Sequence, residues 1–364
     1  MKTCTEFNSL FLQTMKSNIS EEINHIKYTV DTHPSLKLDP LYIDSTFRDK
    51  YREIKTLEDL ITFSKKSKMF SNAKYTFDIK MLYSITPALI RLNKMIGMKH
   101  VKNQIMQQVL YYLQNLHNDN DFLHMVIYGP PGSGKTDLAG CIGKIFKELN
   151  VLPKSTFKKV TRADLVAGYL GQTAIKTKTI VEEAIGGVLF IDEAYSLGNT
   201  DKIDSFSKEC MDTLCEMLSD HKNNLMVIIA GYEEELNSCF FQANQGLKSR
   251  FQWQYHLEKY SYTELFQIFH TKVKTDNWKL YETDVEKMHI LFKENFKYFK
   301  FQGRDMESLF SKVKIYHSQR LFCSNEYVQK KTLTLKDVKK GIEEFIKHTN
   351  VKKNDNQFAF NMYC

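Results

Sequence analysis

Apolar residues at Phe7, Phe11, Met15, Ile19, Ile23 and Ile26 return every three or four positions, the spacing that places them on one helical face. Two prolines and turn formers between Thr32 and Pro40 interrupt the pattern. A second helix is predicted beyond Thr56, where Thr56 and Asp59 form a capping box ahead of Leu57, Leu60, Ile61 and Phe63. From Met95 another helical face, Val101, Ile105, Val109 and Leu113, leads into the apolar run Leu123 to Tyr128. Short strand-like runs follow at Phe157 to Thr161, Val188 to Asp192, Leu225 to Ala230 and Phe251 to Leu257, each pair separated by enough chain for a helix. Such alternation implies a parallel sheet covered by helices on both faces. Past Tyr260 no strand is predicted, and capping boxes at Ser261 with Glu264, Thr283 with Glu286 and Thr334 with Asp337 mark a helical C-terminal domain.

Composition narrows the class without naming a function. With 364 residues, 42% of them hydrophobic, the chain has enough apolar material for two or three cores. No apolar run approaches the length of a membrane span, and the N-terminus lacks the regions of a secretory signal, so an intracellular, cytoplasmic protein without a membrane partner is expected. Seven cysteines without a CxxC pair argue against a disulfide framework and against a zinc site. A net charge of +8, spread along the chain, permits a nucleic-acid partner and does not demand one.

The chemistry begins right after the first strand. Gly129-Pro130-Pro131-Gly132-Ser133-Gly134-Lys135-Thr136 is a complete G-x-x-x-x-G-K-T, followed at once by a helical run from Asp137 to Leu149. Glycines there let backbone N–H groups turn inward on phosphate oxygens, and the following helix presents its positive end to the same anion. Lys135 is expected to reach the β- and γ-phosphates of ATP, and the Thr136 hydroxyl to ligate magnesium. The run Val188 to Ile191 ends in Asp192 and Glu193, at the edge where a parallel sheet binds ligands. Asp192 is expected to hold magnesium, and Glu193 to act as general base toward the attacking water.

The order of this loop, "GYLGQTAIKTKTIVEEAIGGVLFIDEAYSL", "VIIAGYEEEL" and "NQGLKSRF" resembles an AAA+ ATPase of the group that includes the red-type Rubisco activase and the stage V sporulation ATPase, over about Leu92 to Lys347. The resemblance implies an α/β fold: a P-loop AAA+ module with a parallel five-stranded sheet flanked by helices, plus a C-terminal helical lid domain and an N-terminal helical extension. Residues 1–90 fall outside it and read as a helical extension that selects a substrate or partner; the rest divides into a nucleotide-binding domain at 91–258, a lid at 259–350 and a tail at 351–364. The resemblance implies that Ile96 and Gly97 lie against adenine, unless they are ordinary core. Arg250 matches the arginine finger that a neighbouring subunit supplies; a surface salt bridge is the alternative. The lysine at Lys248, where many relatives have a second arginine, lacks the planar fork for the same role. Arg304 matches the sensor arginine of the lid, or else pairs with Asp305 or Glu307. Tyr232 stands where many relatives orient water with asparagine, and is read equally as a hydrogen-bonding sensor or as core.

Tyr169-Leu170-Gly171 matches the aromatic-hydrophobic-glycine loop that such rings project into a central pore, with a tyrosine buried beneath the loop as the alternative. Lys176 and Lys178 beside it read as a solvated face or as guides for an acidic chain. The implied activity is hydrolysis of Mg-ATP by a homo-oligomeric, hexameric ring that remodels or threads a protein substrate. A motor acting on nucleic acid is the alternative, and a scaffold with little turnover is a third reading that the intact Lys135, Asp192, Glu193 and Arg250 oppose.

Overall fold

The computed structural model describes residues 54–67, 77–118, 121–169, 171–198, 205–322 and 330–361, with side chains up to residue 348. The helix expected at Phe7 to Ile26 lies outside them. Lys55–Lys65 and Tyr75–Cys364 form one compact unit; the other, Met1–Ile54 with Lys66–Lys74, falls almost wholly outside the described residues.

All five expected strands form: β1 (Met125–Tyr128), β2 (Phe157–Val160), β3 (Val188–Ile191), β4 (Met226–Gly231) and β5 (Trp253–His256). They pair in parallel in the order β2-β3-β4-β1-β5. Every residue of β1, β3 and β4 is buried, which is why these strands read as solid apolar runs, whereas edge strand β2 is largely exposed. In this order the carboxyl ends of β1, β4 and β3 stand side by side, and the chain crosses from β4 over β1 to β5, the kind of position where open sheets bind ligands.

Helices α1 (Leu57–Ser67), α2 (Ile79–Lys94), α3 (Lys99–Leu113), α4 (Lys135–Glu148), α5 (Thr173–Ala184), α6 (Ser205–Asp220) and α7 (Gln245–Arg250) surround the sheet. The capping box of α1 forms as expected, Asp59 accepting the Thr56 N–H at 2.9 Å and donating its own N–H to Thr56 Oγ1 at 3.2 Å. Helix α2 is not among the predicted elements, and it carries Pro87 at its centre. Its stripe Leu82, Ile85, Leu89 and Leu92 is fully buried, its partner is α4, and position 90 falls inside it.

A second core, built on Phe269, Phe292 and Phe310, belongs to α8 (Tyr262–Thr275), α9 (Val285–Asn295), α10 (Gly303–Phe322) and α11 (Leu335–Asn361). Here the structure corrects the sequence twice. Strands do not stop at Tyr260: β6 (Lys279–Leu280) and β7 (Thr332–Leu333) pair in parallel, each too short to show an alternation. The Thr283 and Glu286 box does not form, because the chain winds a tight turn over Glu282–Asp284 and Asp284 instead accepts the backbone N–H of Leu335 at 3.0 Å. The box at Ser261 holds, with Glu264 accepting Ser261 N–H at 2.8 Å, and at Thr334 Asp337 accepts the Thr334 N–H at 2.9 Å. Among the described residues no helix is long and apolar enough to cross a membrane.

Candidate nucleotide site

The loop from β1 to α4 turns through two left-handed glycines, Gly132 at φ 73° and Gly134 at φ 84°, and so aims the first turn of α4 at a cavity. Pro131, Gly132, Ser133, Gly134, Lys135 and Thr136 line that cavity. Gly129 and Pro130 stand behind it, and their carbonyls accept from Lys135 Nζ at 2.8 and 2.9 Å. Burial, reinforced by the charge of Arg304, pulls the Lys135 ammonium below its ordinary pKa, while Asp192 and Glu193 oppose that shift. A cation so poorly solvated is well placed to receive an anion.

Asp192 and Glu193 reach the same cavity from the end of β3. Asp192 donates its N–H to Val160 at 3.0 Å, which continues the sheet by one residue. Glu193 then takes a left-handed φ of 52°, a sparsely populated conformation for a side-chain-bearing residue, closed by the Ser196 N–H to its carbonyl at 2.9 Å. The turn directs Glu193 into the cavity instead of letting it follow the strand's alternation. Tyr232 lines the cavity at the end of β4, 38% exposed, with Lys135 Nζ 5.9 Å from its ring centre. The core alternative for Tyr232 is therefore set aside. Its ring lies 6.1 Å from that of Tyr195, a further wall residue that sequence reading missed, although it stands only two positions past Glu193.

The lid closes the other wall. Arg304, in the first turn of α10, lines the cavity. The partners weighed for it are engaged elsewhere: Asp305 accepts the Phe301 N–H at 2.6 Å, and Glu307 pairs with Lys272 at 3.4 Å. Gly303 donates its N–H to the carbonyl of Gly132 at 3.0 Å, so backbone of the lid rests on the phosphate loop itself. Tyr260, its hydroxyl pushed up to about 12 by burial, donates to the carbonyl of Ser133 at 3.0 Å. These two ties between segments far apart in the chain had no sequence signal.

Ile96 lines the cavity, and Gly97 sits behind it against Tyr260 and Glu264. Their segment is held by Lys102, whose buried ammonium donates to the carbonyls of Met95 and, at 3.0 Å, Asn93. Burial holds this lysine below its ordinary pKa, with nearby Glu264 acting the other way.

Arg250, at the end of α7, is not brought to its own chain's cavity: Nε donates to Ser219 Oγ at 2.8 Å and Nη1 to the carbonyl of Gly246 at 2.6 Å. Lys248 is exposed. Tyr169 is 74% exposed, so it is not buried beneath its loop, and Gly171 beyond it has a φ of 75°. Leu170 lies outside the described residues. The base of this loop is fixed, with Ala167 N–H donating to Thr173 Oγ1 at 3.2 Å and Thr177 Oγ1 to the carbonyl of Leu165 at 3.1 Å. Lys176 donates to the carbonyls of Ala163 and Val166 at 2.7 and 2.9 Å, while Lys178 is exposed.

A left-handed glycine cradle opening onto a helix N-terminus suits a polyphosphate, and the hard oxygen donors of Thr136 and Asp192 on one cavity suit magnesium. The family of ATPases associated with various cellular activities (AAA) matches residues 125–257. Stage V sporulation protein K of Bacillus subtilis is 33% identical over 70% of this chain and 81% of its own length. The cfxQ-like protein R730 of Acanthamoeba polyphaga mimivirus is 38% identical over 73% of this chain, and the match spans 66% of that relative. Among solved structures, the AAA domain of FIGL-1 in complex with ADP superposes with a TM-score of 0.50 at 17% identity, over 68% of this chain and 82% of that one, a likeness of fold. Loop, cavity and relatives agree: this chain belongs to the AAA ATPase family, and it is an enzyme that binds and hydrolyses ATP.

Proposed function

We propose that this ATPase works as a homo-oligomeric ring of six subunits that grips a polypeptide in its central pore and moves it with each ATP turnover. What carries this reading is Tyr169, 74% exposed on a loop whose base is pinned. An aromatic side chain on a fixed stalk holds by apolar area and ring stacking, and so tolerates many polypeptide sequences.

In the proposed chemistry the P-loop N–H groups and Lys135 hold the phosphates, Ile96 and Gly97 border adenine, and Glu193 accepts the proton of the attacking water. Magnesium, held by Thr136 and Asp192, would neutralise phosphate charge when bound. Arg304 adds positive charge from the lid, and Tyr232 offers a hydroxyl to the water. Arg250 serves a neighbour's cavity, which accords with its distance from its own and makes assembly a condition of turnover. In this scheme residues 91–258 bind nucleotide, 259–350 respond to it, 351–364 form a tail, and 1–90 select the partner.

Glu193→Gln is expected to keep bound ATP and lose about 10²- to 10⁴-fold in hydrolysis, giving a long-lived loaded state. Fluorescein-labelled casein should bind that variant in ATP, and Tyr169→Ala in the same background should release it while ATP stays bound. Casein retention without the Tyr169 ring would remove the grip. Stimulation by DNA or RNA with a steep salt dependence, and none by casein, would replace polypeptide with nucleic acid.

A further inference from the structure

β2 carries two successive lysines that part company. Alternation along a strand sends neighbouring side chains to opposite faces. Lys158 pairs with Glu183 on α5. Lys159, which lies in register with Phe190 of β3, reaches along that strand, its Nζ 5.9 Å from the Phe190 ring centre and 2.7 Å from Oδ2 of Asp192. The carboxylate of this pair is 19% exposed and the lysine 47%. One side of the nucleotide cavity is thus tied by an ion pair, beside the backbone ladder, to the edge strand that precedes the Tyr169 loop.

We infer that Lys159 competes with a divalent cation for Asp192 and thereby sets the magnesium concentration at which nucleotide is held. The inference rests on the proposed role of Asp192 as a cation ligand. An ammonium at 2.7 Å engages an oxygen lone pair and neutralises the charge that would attract a second cation. Magnesium takes few carboxylates and keeps its waters, so it gains little elsewhere if this one is engaged. Lysine's long flexible stem lets the ammonium withdraw into water. A half-exposed pair is worth at most about 1 kcal/mol, so the competition shifts the magnesium requirement without abolishing binding, by about fivefold.

The test is a titration of magnesium chloride into the full chain with N-methylanthraniloyl-ADP, read by nucleotide fluorescence. Lys159→Met should lower the half-saturating magnesium about fivefold, with unchanged nucleotide affinity at saturating magnesium, and Lys159→Arg should behave as the parent. Because Lys159 sits half-exposed on an edge strand, the fold should survive both changes, which thermal melting checks. An unchanged half-saturating magnesium in Lys159→Met overturns the inference. So does an equal affinity change in EDTA and in saturating magnesium, since that is a field acting on the nucleotide. Asp192→Asn should raise the magnesium requirement and erase any further effect of Lys159→Met. If Asp192→Asn moves nothing, the cation-ligand reading of Asp192 fails; if it raises the requirement while Lys159→Met alone lowers nothing, only the competition fails.

Discussion

Gly132 and Gly171 make the same backbone turn, φ 73° and 75°, in opposite surroundings. A Cβ on Gly132 would lie 2.1 Å from the carbonyl oxygen of Phe301 and 3.0 Å from the N of Arg304, whereas one on Gly171 would meet nothing within 4 Å among the described residues. At Gly132 the phosphate loop is therefore held by backbone of the lid. In the Tyr169 loop the base is fixed by the Ala167 to Thr173 bond, while the Tyr169 side chain is exposed. The contrast fits the two proposed partners. A nucleotide has one shape, and its site gains from being held rigid before it binds. A polypeptide has many, and a bare tip on a firm stalk can meet each of them.

The largest effect that would break this contrast is expected at Gly132. Gly132→Ala adds a left-handed penalty of about 1–2 kcal/mol and an overpacking cost of about 1–3 kcal/mol, because the obstructing atom is backbone. Nucleotide affinity, measured by calorimetry, should fall by about 30-fold or more as the Gly132 to Gly303 contact opens. Gly171→Ala carries only the first cost and should leave nucleotide affinity as it is. Equal losses in the two variants would show that crowding by the lid does not distinguish these regions.

Both regions hang from one sheet, and an acid titration probes that shared support. His124, fully buried, donates from Nε2 to the carbonyl of Leu218 at 3.1 Å and accepts the Val227 N–H at Nδ1 at 3.2 Å, so the neutral Nε2–H tautomer satisfies both contacts. Burial pulls it down to about 4, with Arg250 adding to the shift and the Leu218 bond opposing it. The unfolded chain thus takes up this proton first, near pH 6.5. The contribution of the neutral ring is complete above that value and fades as pH falls toward about 4, by an amount of order 3 kcal/mol. Urea unfolding of the parent should show this slope between pH 6.5 and 4, and His124→Gln should flatten it. Asp337, held down to about 2 by hydrogen bonds from Arg320, Thr334 and His317 against its burial, loses its contribution only below its ordinary 3.8, outside that window.

What could be read in advance was local. Strand cores such as Val188–Ile191 announce themselves because both faces are buried, and the phosphate loop because its glycines, lysine and threonine must be adjacent in sequence to surround one anion. Contacts across long intervals left no trace: Gly303 on Gly132, Tyr260 on Ser133, Lys159 on Asp192. Neither partner of such a pair constrains its own neighbours in the chain. The failed box at Thr283 belongs to the same class, since Asp284 is taken by the N-terminus of α11, 51 residues away. Lys176 folds its long stem back on two backbone carbonyls, a contact no periodicity records.

The smallest predicted effect tests whether the stalk matters apart from the ring it carries. Thr173 is fully buried at the start of α5, and its Oγ1 accepts the Ala167 N–H across the base of the loop. Thr173→Val keeps the shape and removes the acceptor, leaving a part-buried donor unpaired at about 1 kcal/mol. Local opening should become about fivefold more frequent, seen as faster hydrogen exchange at Ala167, with no change at the phosphate loop. In the Glu193→Gln background, casein binding should weaken by no more than the same factor, although Tyr169 is untouched. Faster exchange with unaltered casein binding would mean that the tyrosine grips equally well from a loose base, and the firmness of the stalk would then have no part in the grip.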